Sequence, residues 1–141
     1  MKRLCMLIAS GLILLGPVPA GAQDKSGTWT GVVTESASDC QNIVKAAPGE
    51  YELAIVQKGD ELTIMEDKAR RPYRGSFDSD APGHIQVRGT YADAGGYVSE
   101  EVSIQFSDSS SGAGQSAWRW SDGWHQCGGR FLFTLKKKAS D

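Results

Sequence analysis

Beyond residue 26 the chain alternates apolar and polar positions in short runs, and no stretch keeps the 3.6-residue spacing of an amphipathic helix. Residues 28–35 place Trp29, Gly31 and Val33 on one face, and residues 51–57 set Tyr51, Leu53 and Ile55 against Glu52, Ala54 and Val56. The tight Lys58-Gly59-Asp60 turn leads into residues 61–67, so these two runs read as a hairpin. Residues 73–77, 85–91, 98–106, 117–121 and 129–135 follow the same two-residue period, separated by Gly, Asp, Ser and Pro. Residues 107–114 read as a mobile turn by composition. The one longer connection, 36–50, contains Cys40 and an expected helical turn between Gln41 and Ala46. Eight strands joined in order predict an all-β fold, an eight-stranded antiparallel up-and-down β-barrel whose closure removes exposed edges. A β-sandwich is the alternative.

The first 22 residues stand outside that pattern. Lys2 and Arg3 precede an apolar run over 4–15, Gly16, Pro17 and Pro19 break it, and Ala20-Gly21-Ala22 offers a small-x-small cleavage site. A run of about 12 apolar residues is shorter than the ~20 that span a bilayer. A signal peptide over 1–22 is therefore expected, cleaved after Ala22, with a single domain over 23–141 and no transmembrane segment in the mature chain. Cys5 lies before the apolar run, which argues against a lipid-anchored cysteine at the cleavage site. The protein is expected to be exported, to a periplasm or to the extracellular medium.

Removing the leader leaves 119 residues with 13 basic and 17 acidic side chains, a net charge of −4. That length fits one globular domain, and that charge does not favour nucleic acid as a partner. It also leaves Cys40 and Cys127 as the remaining cysteines, which an oxidising compartment would pair. Barrel geometry agrees, although a sandwich accommodates the pair too. The first and last strands of such a barrel are antiparallel neighbours, so the end of one and the start of the other share a rim. Cys40 follows the first strand and Cys127 precedes the last. A bridge there would staple the closure seam, and closing a loop of about 87 residues is worth roughly 4–5 kcal/mol in the chain-entropy picture. A redox-active pair would instead show Cys-x-x-Cys spacing.

Catalytic signals are weak. Gly114-Gln115-Ser116-Ala117-Trp118 misses the last glycine of a nucleophile elbow. Residues 110–114 lack the Lys-Ser/Thr ending of a phosphate loop. His84 and His125 are far apart and lack ligand spacing. The expectation is no enzyme, no catalytic residue, no metal site and no cofactor.

Candidate binding residues are aromatic. Trp118, Trp120 and Trp124, with Tyr73 and Tyr91, could form a stacking wall for a ring-bearing ligand in a barrel mouth, with Trp124 the most accessible of the tryptophans. Ten aromatics fall on inward positions, enough to favour an interior filled by its own side chains. Gly31, Gly75 and Gly89 argue the other way, by leaving space or permitting close strand approach. Alternation over 98–106 would also turn Glu100 inward, where a carboxylate needs a partner and could orient a polar ligand. The favoured reading is a bulge near the strand start that turns Glu100 or Glu101 outward. Lys68, Arg70, Arg71 and Arg74, and Lys136, Lys137 and Lys138 at the exit, read as solvated surface, with anionic headgroups or cell-wall polymer as a lesser possibility.

Gly27-Thr28-Trp29 at the first strand, with Arg130 near the start of the last, resembles the calycin superfamily. In lipocalins a Gly-x-Trp motif opens the barrel and a basic residue of the last strand packs near that Trp. Avidins open with a similar Gly-Thr-Trp segment. The resemblance implies a closed barrel and a broad tendency to bind ligands. No mid-chain lipocalin signature is present, and the biotin-contacting pattern of avidins does not map onto this chain. Small bacterial inhibitors of secreted metalloproteases also look like exported barrels with one disulfide. Their blocking arm would correspond here to only Gln23 to Ser26, and their cysteines are placed differently. The function expected is that of an exported, non-enzymatic binding protein for a small or amphipathic ligand at a barrel mouth. The alternative is a cell-envelope protein-interaction module such as a protease inhibitor.

Overall fold

A computed structural model describes residues 23–41, 49–66 and 71–139. The expected leader, with Cys5 and the Ala22 cleavage site, lies outside the described residues, as do most of the expected helical turn after Gln41 and Lys68 and Arg70 of the basic cluster. Eight strands follow in order: β1 (Gly27–Ser38), β2 (Glu50–Lys58), β3 (Glu61–Glu66), β4 (Arg71–Phe77), β5 (His84–Asp93), β6 (Gly96–Phe106), β7 (Ser111–Ser121) and β8 (Gln126–Lys137). Each pairs antiparallel with the next, and β8 pairs back onto β1 to close the barrel. Closure gives each of the eight described strands two neighbours.

Turn chemistry explains the sharp reversals. Gly59 sits at φ 62° between β2 and β3, and Ala94 and Gly95 take φ 48° and 79° between β5 and β6. Two consecutive positive-φ residues match the twist of a tight hairpin, which is why the Asp93–Gly96 connection needs only two residues.

The strands run longer than their alternation suggested. Residues 111–114, expected in a mobile turn, belong to β7, where Gly112 faces both Phe106 and Leu135 and Gly114 faces both Ile104 and Phe133. Ladders on both sides outweigh the low strand preference of Ser and Gly, and only residues 107–110 remain as the turn. Cys127 is likewise the second residue of β8 rather than the residue before it. Cys40 and Cys127 form the expected disulfide, Cα–Cα 5.1 Å, at the rim where β1 ends and β8 begins.

The barrel thus has a Trp29 end, where β1 enters, and a disulfide end, where it leaves. Trp29, Leu53, Ile55, Leu62, Ile64, Ile85, Val87, Ile104, Phe106, Phe133 and Leu135 fill the interior from the Trp29 end through the middle. All ten aromatics expected to face inward do so by strand register. The other two, Trp124 and Tyr97, lie outside at the disulfide end and are 92% and 69% exposed.

The inward glycines mark close approach: Gly75 lies against the backbone of Gln86 and Val87 on β5, and others lie under rings. The Tyr51 ring lies over Gly31, Tyr73 over Gly89, Phe133 over Gly114 and Trp118 over Gly129. Each ring takes the volume that a side chain on the neighbouring strand would have filled, so these glycines permit close ring packing instead of opening a cavity.

Candidate functional site

The Trp29 end is sealed by the segment before β1. Trp29 is fully buried, packs 5.4 Å from Phe106 and donates its indole N–H to the Lys25 carbonyl at 2.9 Å. Lys25 folds over the opening: its Nζ donates to the Asp108 carbonyl at 2.7 Å and lies 5.1 Å from the Phe106 ring centroid. Burial lowers the Lys25 ammonium pKa from its usual value, and the nearby Asp108 charge partly offsets that. Phe77, at the end of β4, is the half-buried ring of this end.

The last-strand cation beside Trp29 is not Arg130. Arg130 pairs with Ala37 and Ala117 and is exposed toward the other rim, whereas Lys137 pairs with Trp29 and places its Nζ 6.0 Å from the indole. Parity explains the correction. Phe131, Phe133, Leu135 and Lys137 share the inward face of β8, and Arg130 falls on the alternate one.

Glu100 is inward, contrary to the favoured expectation. β6 keeps an unbroken register with β5 from Gly96 to Gln105 and with β7 from Tyr97 to Phe106, so its alternation is never reset. The bulge that does occur is in β1, between Val33 and Glu35. Glu100 is 5% exposed. Tyr73 Oη donates to its Oε2 at 2.6 Å, Tyr91 Oη donates to the same oxygen at 3.2 Å, and the buried Ser116 Oγ donates to Oε1.

The strand neighbours make that cluster possible. Glu100 faces Gly89 on β5, and because Gly89 has no side chain the Tyr73 ring reaches across from β4; a Cβ there would stand 2.7 Å from it. Burial raises the Tyr73 phenol pKa well above its usual value, and the Glu100 charge and hydrogen bond raise it further. Tyr51 is raised in the same way, by burial first and then by the charges of Glu100 and Glu66. Both phenols therefore stay neutral at physiological pH, and Tyr73 serves Glu100 as a donor.

Around this cluster, toward the disulfide end, Tyr51, Tyr91, Trp118 and Phe131 are inward but only half-buried. Trp120, two residues further along β7, differs from Trp118. It is buried and donates its indole N–H to the Asp93 carbonyl at 2.8 Å, which makes it a wall of the barrel instead of a face for a ligand. Trp124 stands in the β7–β8 turn, where Asp122 accepts the N–H groups of Trp124 and His125 at 2.8 and 2.7 Å; those bonds hold the Asp122 carboxyl pKa down to about 2.

The other polar features are local. His84 Nε2 lies 2.8 Å from Ser103 Oγ, and His125 lies beside Asp122. Arg74 faces Arg88 across β4 and β5 on the outer wall, beside a polar recess of about 410 Å³, and Arg88 is ion-paired with Glu101 at 2.9 Å. Asp39 accepts the Gly128 N–H at 2.6 Å beside the disulfide.

The sequence matches no protein-family model and no curated protein. The class defined by the geometry is a closed eight-stranded barrel with one end covered by the segment before β1 and, toward the other, a buried carboxylate–hydroxyl cluster beside half-buried inward rings.

Proposed function

We propose that this is an exported, non-enzymatic binding protein that takes a small or amphipathic ligand at the disulfide end of its barrel. The observation that carries the reading is the arrangement of half-buried inward rings, Tyr51, Tyr91, Trp118 and Phe131, around the buried Glu100. Apolar walls with a few convergent polar groups are what ligand sites in barrel mouths present. The disulfide supports export to an oxidising compartment. Lys137 beside Trp29 supports the calycin-like reading better than Arg130 did.

The site residues are Trp118, Tyr91 and Glu100, with Tyr73 holding Glu100 in place; Trp120 and Trp124 have other surroundings. Native mass spectrometry of protein taken from its own compartment is expected to show a discrete non-covalent mass that denaturation removes. Trp118→Ala should lose that mass while keeping its fold. A Trp118→Ala variant that keeps both fold and ligand contradicts the site.

A second reading, a cell-envelope interaction module such as a protease inhibitor, rests on Trp124 and Tyr97, the two exposed aromatics outside the same rim. A ligand-free native spectrum together with a stable stoichiometric complex that Trp124→Ala abolishes would favour it.

A further inference from the structure

We infer that the ligand of this mouth carries a cationic, hydrogen-bond-donating head, an alkyl- or arylammonium group seated at Glu100 with its apolar body against the surrounding rings. The inference rests on the binding-protein reading above and specifies the ligand class.

The first argument is a donor count at Glu100. A carboxylate offers about four lone-pair positions, two on each oxygen. Tyr73 and Tyr91 both donate to Oε2, whereas Ser116 is the donor on Oε1. One accepting position on Oε1 therefore remains beyond the three hydroxyls. A bound N–H would fill it.

The second argument is charge. The three donors are neutral hydroxyls, and among the described residues no lysine, arginine or histidine forms an ion pair with Glu100. Hydroxyls satisfy hydrogen bonding but not the negative charge, and a buried carboxylate is stabilised most by a cation. Glu66 adds a second negative charge. It lies half-buried at the disulfide end of β3, opposite the inward Leu53, and its field reaches the phenols of both Tyr51 and Tyr73. An anionic ligand would meet the like charge of Glu100, and a neutral one would leave it without a cation.

The third argument is the wall. Tyr51, Tyr91 and Trp118 are half-buried around Glu100, and aromatic rings beside a carboxylate favour an ammonium group over isosteric neutral groups.

The test uses one apolar body with three heads: phenylbutylamine, phenylbutanol and phenylbutyrate, titrated calorimetrically into the mature protein near neutral pH. The amine is expected to bind at least about tenfold tighter than the alcohol, as one charge-assisted hydrogen bond implies, and the acid more weakly than either. Glu100→Gln should bring the amine down to the level of the alcohol, whereas Trp118→Ala should weaken both together. Equal binding of all three by the wild-type protein, weakened by Trp118→Ala, overturns the cationic head and leaves the mouth standing. Binding of none overturns both. The wild-type series decides the matter even if Glu100→Gln does not fold.

Discussion

At the Trp29 end, inward positions carry large apolar side chains, the chain entering β1 folds across the opening, and the charges nearest the core are the ammonium groups of Lys25 and Lys137. At the disulfide end the same alternation delivers phenols, an indole, a serine hydroxyl and two carboxylates, and the rings remain half-exposed. Both ends belong to one set of strands, so the difference lies in the inward side chains and in the segment before β1. A filled end gives the barrel its stability, and the half-exposed rings of the other end are where the proposed ligand would bind.

The largest effect that separates the ends is on stability. Trp29→Ala removes a fully buried ring and its hydrogen bond to Lys25, and is expected to cost about 3–5 kcal/mol. Trp118→Ala removes a half-exposed ring and should cost about 1–2 kcal/mol. Urea unfolding of the two variants measures this directly. Equal losses would mean that the disulfide end is packed as tightly as the other.

A smaller effect tests how the polar cluster is built. Gly89→Ala puts a methyl group against the Tyr73 ring and should displace its hydroxyl from Glu100, at a cost of about 1–3 kcal/mol. Because Tyr73→Phe removes the same hydrogen bond, the double variant should lose less stability than the two single losses added together. Full additivity, read from the same unfolding curves, would show that Gly89 does not position Tyr73.

Much of the fold can be read from the residues. Two-residue alternation locates all eight strands, and the Gly59 and Ala94-Gly95 turns mark their reversals. The disulfide follows from the rim that Cys40 and Cys127 must share. What escapes the sequence depends on register. The breadth of β7 became evident only with both of its ladders, since Ser and Gly look like a turn until their partners are known. That the inward glycines lie under rings or against backbone is likewise a property of pairs of strands.

The site was half legible. Strict alternation placed Glu100 inward, but a bulge can cancel alternation, and which strand bends to close a barrel is decided by the whole sheet. Here β1 bends and β6 does not. The Arg130 assignment could have been corrected from the sequence, because Arg130 is out of phase with Phe131, Phe133 and Leu135 and Lys137 is in phase.

The most direct test of the proposed binding at the acidic, aromatic end is the indole N–H region of the NMR spectrum, with its four tryptophan signals, during titration with phenylbutylamine. The account predicts that the Trp118 signal moves with saturation while that of Trp29, bonded to Lys25 and covered by it, stays in place. Movement of Trp29 ahead of Trp118, or of the exposed Trp124 alone, would place binding elsewhere and contradict it.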